Sequence, residues 1–221
     1  VVGDRLYVST PATHCIHALD SKTGKAVWTF AAGGRSDTPP TWHKGRLLFG
    51  ATDGFVYCVD ARDGKLAWRF RAAPLDRRQV HFERVESVWP VNGNILVNDA
   101  GEAVFVAGRS VFLDGGLRFI RLNAMTGELL HESVLDRIDD RTGEDLHGGV
   151  QRLNMPVGLP DLLGSDGERY FLRSEVLDAN GKRLGQAPHP TAQSRLLVEP
   201  PIEGSPLYPP SGFAARAEAH L

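Results

Sequence analysis

Between positions 76 and 89 the chain concentrates side chains suited to holding an anion: Arg77, Arg78, His81 and Arg84, with Trp89 close behind. Guanidinium groups make paired hydrogen bonds to carboxylates and phosphates, and a neighbouring aromatic face adds a cation–π surface. Asp76, Glu83 and Glu86 stand among them and can neutralise the arginines in a solvated loop. Loops carry binding function more often than the elements they join. Arg77, Arg78, His81, Arg84 and Trp89 are therefore the ligand-binding candidates.

Other constellations fall short of a site. The acidic run Asp136, Asp139, Asp140, Glu144 and Asp145 lacks the alternation and terminal bidentate Glu of a calcium loop, so it reads as a solvated turn. His14 and His17 would need a third ligand, and no metal site is expected. Cys15 and Cys58 match no metal spacing; whether they pair or stay as two separate thiols is open from sequence. Arg109 and Asp114 flank a strand end and suit a structural ion pair as well as a binding role. Gly-x-Ser-x-Gly, His-Glu-x-x-His and Gly-rich phosphate-loop patterns are missing from the sequence, and no catalytic residue is assigned.

Charge narrows the partners. Lys plus Arg is 25 against 27 Asp plus Glu, a formal net charge of −2, which excludes a general polyanion binder and with it a nucleic-acid partner. No apolar run is long enough to insert into a membrane as a helix. The opening Val1-Val2-Gly3-Asp4-Arg5 has neither an initiator Met nor a signal-like segment, so the chain reads as a piece of a longer polypeptide.

The elements that must position these residues come from an internal repeat. His17 to Phe30 aligns without gaps on Tyr57 to Phe70, at an offset of 40. Weaker copies run from Ile120 to His131 and from Val176 to Leu184, the last one residue short in its turn. An alternating apolar stretch precedes each copy, as in Arg46-Leu47-Leu48-Phe49, so the unit is strand, turn, strand with little room for helix. Asp20, Asp60 and Asn123 can accept backbone amides of their own turns, and Gly24, Gly64 and Gly127 supply a backbone angle that a side chain opposes. Trp28 and Trp68 follow each turn with a ring large enough to close the gap to a neighbouring sheet. A period near 40 with about four strands per unit is the sequence form of a β-propeller blade.

The pattern Asp20-x-x-Thr23-Gly24-x-x-x-Trp28, nearly repeated from Asp60 to Trp68, resembles the tryptophan-docking motif of pyrroloquinoline-quinone-like (PQQ-like) β-propeller repeats. That family includes quinone-dependent alcohol dehydrogenases and a non-enzymatic propeller lipoprotein of outer-membrane assembly, so the motif identifies blades and leaves the chemistry open. The stretch from Val85 to Gly116 is similar to large multi-blade bacterial members of unassigned function. The resemblance implies an all-β chain of about four blades with four-stranded antiparallel sheets, part of a seven- or eight-bladed ring whose other blades belong to the same polypeptide. It also implies a periplasmic or extracellular place. Alcohol-oxidising members carry two adjacent cysteines against the quinone, whereas Cys15 and Cys58 lie 43 apart. The expected function is a non-catalytic binding or scaffold module with no cofactor, whose partner is a protein or a small polar or anionic ligand. The alternative is part of a PQQ dehydrogenase using PQQ and Ca²⁺, or a propeller fused to a catalytic domain outside this chain.

Blades are placed at 1–30, 31–70, 71–133 and 134–184. The third turn follows the second by 63 residues, so an insertion of about 23 residues leaves the sheet between 71 and 90. Residues 185–221 hold seven of the 14 prolines and read as a tail or linker, since proline cannot occupy a central strand.

Overall fold

A computed structural model describes residues 1–81, 83–146, 162–173 and 175–186; the proline-rich segment from 187 onward lies outside them. The described residues fold as antiparallel sheets with no α-helix among them. The first sheet is β1 (Arg5–Thr10), β2 (Cys15–Asp20) and β3 (Ala26–Ala31). The second is β4 (Thr41–His43), β5 (Arg46–Gly50), β6 (Phe55–Asp60) and β7 (Leu66–Arg71). A two-stranded hairpin, β8 (Arg78–His81) with β9 (Arg84–Ser87), occupies the insertion. The third sheet is β10 (Leu96–Val97), β11 (Glu102–Ala107), β12 (Leu117–Asn123) and β13 (Leu129–Leu135). The fourth is β14 (Leu163–Ser165), β15 (Tyr170–Leu172), β16 (Glu175–Leu177) and β17 (Arg183–Gln186), so its last strand runs past position 184. Strands neighbour one another in sequence order within every sheet, the meander of a propeller blade.

Period-two alternation buries both faces of the middle strands. On β6, Val56 and Cys58 join Phe105, Ile120 and Leu122 in a core between the second and third sheets. Tyr57 and Val59, on the opposite face, pack with Phe49 and Leu47 against Ile16 of the first sheet. Phe119 and Leu117 meet Tyr170, Leu172 and Leu177 in a third core between the last two sheets. Cys58 is buried, Cys15 is half-buried, and both thiols are free.

The repeated turn is a shared piece of hydrogen bonding. The Asp20 carboxylate accepts the amides of Lys22 and Thr23 at 3.1 and 2.8 Å, and Gly24 N–H donates to the Asp20 carbonyl at 2.8 Å. Gly64 and Gly127 donate in the same way to the Asp60 and Asn123 carbonyls at 2.9 and 2.8 Å. Gly24, Gly64 and Gly127 have φ of 69, 73 and 75°, in the left-handed region that favours glycine. Each sheet also breaks register just before this turn, at Ala18/Leu19, Cys58/Val59, Arg121/Leu122 and Val176/Leu177. An irregularity at the same repeat position adds local twist where the chain enters the last strand.

The tight turn matters because the sheet before it packs on it. Trp28 leans on Gly64 and donates its Nε1–H to the Ala61 carbonyl at 3.1 Å. Trp68 leans on Gly127 in the same way. In the third sheet His131 Nε2 and Ser133 Oγ lie 2.9 and 2.7 Å from the Asn180 carbonyl, polar groups where the earlier sheets use indole.

Candidate functional site

The insertion hairpin is fastened on several sides. Ser87 N–H donates to the Thr52 carbonyl at 2.8 Å, which ties β9 to the second sheet. Arg84 Nη1 donates to the Pro11 carbonyl of the first sheet at 3.2 Å. Arg109, from the loop between β11 and β12 of the third sheet, reaches Gln79 on β8 and pairs with Asp114, to which it donates from Nε at 3.1 Å. The Glu86 carboxylate, almost fully buried, pairs with Arg35 at 3.1 Å and lies 3.6 Å from His81 Nδ1. These contacts tie the described residues of the hairpin to all three neighbouring sheet segments.

The five sequence candidates do not converge on one point. Arg77 is mostly exposed and lies 3.9 Å from Asp114. Arg84 donates from one nitrogen to the Pro11 carbonyl, and His81 faces Glu86. Trp89 is buried at 6% exposure with Ala73 and Val88, and its Nε1–H donates to the Asp114 carbonyl at 3.1 Å. Its ring is packing for the loop base, because the chain turns inward as it leaves β9. Arg78, half-exposed, is paired with Asp76 at 3.1 Å and opens onto a cavity.

That cavity, of about 210 Å³, lies between the edge strand β7 and the hairpin. Phe55, Arg69, Arg71 and Arg78 line it with Asp53 and Asp76, while Leu75 and Ser87 complete the wall. Arg69 and Arg71 share one face of β7 by period two, and the Arg69 guanidinium sits 5.1 Å over the Phe55 ring. Among the described residues neither Arg69 nor Arg71 has an ion-pair partner. Asp53 forms the floor: Tyr57 Oη donates to Asp53 Oδ2 at 2.5 Å, Phe55 N–H donates to Oδ1 at 3.1 Å, and Gly33 N–H donates to Tyr57 Oη at 3.2 Å. Burial raises the Asp53 carboxyl above its usual range, partly offset by these donors. Burial, followed by the Asp53 contact, pushes the Tyr57 phenol up to about 12. A Cβ at Gly33 would lie 2.3 Å from Asp53 Oδ2, so a side chain there would displace the Asp53 carboxylate.

Arg69 and Arg71 were not singled out from sequence. Their alternation after Trp68 is the available signal, but it matches any solvated edge strand. A second, open cavity of about 340 Å³ lies between the third and fourth sheets, lined by Leu96, Val97, Asn98, Asp99 and Tyr170. Among the described residues no three His, Cys, Asp or Glu side chains come together as a metal-binding group.

The comparisons with known proteins match this architecture. The chain is 44% identical over 85 residues to quinohemoprotein alcohol dehydrogenase ADH IIB of Pseudomonas putida, covering 34% of this chain and 12% of that one. It is 28% identical over 67 residues to outer membrane protein assembly factor BamB of Moranella endobia, covering 30% of this chain and 17% of that one. Each match thus spans a small part of its relative. A solved structure of a protein of unknown function from Bacteroides caccae aligns over 84% of this chain and 58% of its own, with a TM-score of 0.55 and 16% identity, a likeness of fold alone. The family model described as outer membrane protein assembly factor BamB matches residues 1–158, and with its repeated turns and meander sheets the chain belongs to this PQQ-like β-propeller family.

Proposed function

We propose that this segment is a non-catalytic binding or scaffold module of the PQQ-like propeller type. The observation that carries the reading is a hairpin tied to three sheets by Arg84, Ser87 and Arg109, which holds Arg78 beside an arginine-lined cavity. Rigid blades supply the frame and the insertion supplies recognition, with no bond-making step. Trp28 and Trp68 serve as tryptophan-docking staples between blades. The partner is a protein or a small polar or anionic ligand, met in the periplasm or outside the cell. The remaining blades of a seven- or eight-bladed ring belong to the same polypeptide, and no nucleic acid or membrane insertion is involved.

The 44% identity to a quinohemoprotein dehydrogenase favours a second reading, in which the segment is part of a quinone-dependent enzyme using PQQ and Ca²⁺. The two separate by experiment. The full polypeptide is supplied with PQQ, Ca²⁺, an artificial electron acceptor and a panel of alcohols and sugars. The binding-module reading expects no dye reduction together with saturable ligand binding; saturable dye reduction overturns it.

A further inference from the structure

The cavity beside β7 has a charge pattern that selects its ligand. Three guanidiniums, from Arg69, Arg71 and Arg78, face two carboxyl groups, from Asp53 and Asp76. Arg78 is already engaged by Asp76. Arg69 and Arg71 project from the same face of one strand without a carboxylate partner among the described residues. Phe55 beneath Arg69 sets an aromatic face under one guanidinium, beside the Asp53 floor. Leu75, exposed at 62%, adds an apolar wall at the rim.

We infer that this cavity is a carboxylate-binding site, in which Arg69 and Arg71 hold the anion and Arg78 closes its hairpin side. A monoanion balances the single excess positive charge, whereas a phosphate dianion would be pressed against Asp53 and Asp76. A volume of about 210 Å³ admits one carboxylate-bearing group of a few heavy atoms, either a small organic acid or an acidic side chain of a partner protein. Planar, bidentate recognition suits guanidinium better than ammonium, so Lys is a poor substitute. The inference rests on the recognition reading above and names the chemistry of its ligand.

The test is a titration of the ¹⁵N-labelled full chain, followed through the arginine Nε–H signals, with acetate, with an N-acetylated and amidated glutamate, and with inorganic phosphate. Sodium chloride at matched ionic strength is the reference. Both carboxylates are expected to shift the Arg69 and Arg71 signals saturably, with affinities on the order of 1 mM. Arg71→Gln is expected to weaken binding by about fivefold or more, Arg71→Lys by less, while Lys22→Gln on a distant turn changes nothing. Capped glutamate binding about tenfold tighter than acetate marks an acidic side chain as the source, and equal affinities mark a small acid. Shifts that chloride reproduces, phosphate binding tighter than either carboxylate, or unchanged binding by Arg71→Gln would overturn the inference. The phosphate comparison needs only the unaltered chain and so stands even if a variant does not fold. Loss of carboxylate binding leaves the module reading in place, whereas quinone-dependent dye reduction removes that reading without altering the titration.

Discussion

Trp28 of the first sheet and Gly64 of the second meet so closely that a Cβ at position 64 would lie 2.6 Å from Trp28 Cε3. Gly24 has nearly the same backbone angle, φ 69° against 73°, yet nothing lies within 4 Å of a Cβ built there. The pair separates backbone strain from inter-sheet packing. Gly24→Ala should cost about 1 kcal/mol, the left-handed penalty alone. Gly64→Ala should cost about 3 kcal/mol or more, because the ring must shift as well. Urea denaturation of both variants measures the difference; equal costs would mean that Trp28 does not rest on Gly64 in solution.

The two indoles differ in hydrogen bonding. Trp28 Nε1 donates to the Ala61 carbonyl at 3.1 Å, whereas Trp68 Nε1 is buried without a hydrogen-bond partner among the described residues. Replacing either by Ala should cost about 3 kcal/mol or more, as large packed aromatics do. Replacing either by Phe keeps much of the ring and removes the donor. Trp28→Phe should then cost up to about 1 kcal/mol more than Trp68→Phe, since only the first gives up a hydrogen bond, while the Ala61 carbonyl keeps its bond from Tyr7 Oη at 3.1 Å. The reverse order in chemical denaturation would count against this account.

The blade turns were legible because their chemistry is local: an Asp or Asn, a Gly and the amides between them stand within five residues. The contact from Trp28 to Gly64 spans the repeat, so the period of 40 made it inferable as well. The site was less legible. Trp89 follows the arginine-rich loop in sequence, but the chain dives at Val88 and buries it with Ala73. Arg84 meets Pro11 across 73 residues, and no local pattern announces such a contact. Arg69 and Arg71 acquire a role only because the hairpin folds back beside β7, a placement set by Thr52, Gln79 and Arg109.

The turn carboxylates make stability depend on acid. The Arg62 side chain, then the Arg62 amide, holds the Asp60 carboxyl down to about 2, below an ordinary value of 3.8. A depressed folded-state value means that the unfolded chain binds the proton more readily, so stability is present above about pH 4 and lost as pH falls toward 2. Arg62 is largely solvated, so screening keeps the effect on the order of 1 kcal/mol or below. Thermal unfolding followed from pH 5 to pH 2 should show a falling midpoint, and Asp60→Asn should flatten the fall. A midpoint as acid-sensitive in Asp60→Asn as in the unaltered chain would assign the loss to other groups.

Cys58 and Cys15 should separate cleanly by reactivity. Cys58 packs between the second and third sheets, and burial pushes its thiol up to about 12. The thiolate is the nucleophile, so both access and ionisation protect this sulfur while the sheets are closed. Cys15 is half-buried at the start of β2 and its Sγ–H donates to the Thr13 carbonyl at 3.2 Å, within reach of reagent. At about pH 8 a disulfide-exchange reagent should therefore modify one thiol per chain quickly, and the second only at the rate of unfolding. Adding urea should release the second thiol cooperatively. Two thiols reacting at equal rates without denaturant would show that the interface carrying Val56, Cys58 and Phe105 opens readily, and none reacting even in urea would mean that the two cysteines are bonded.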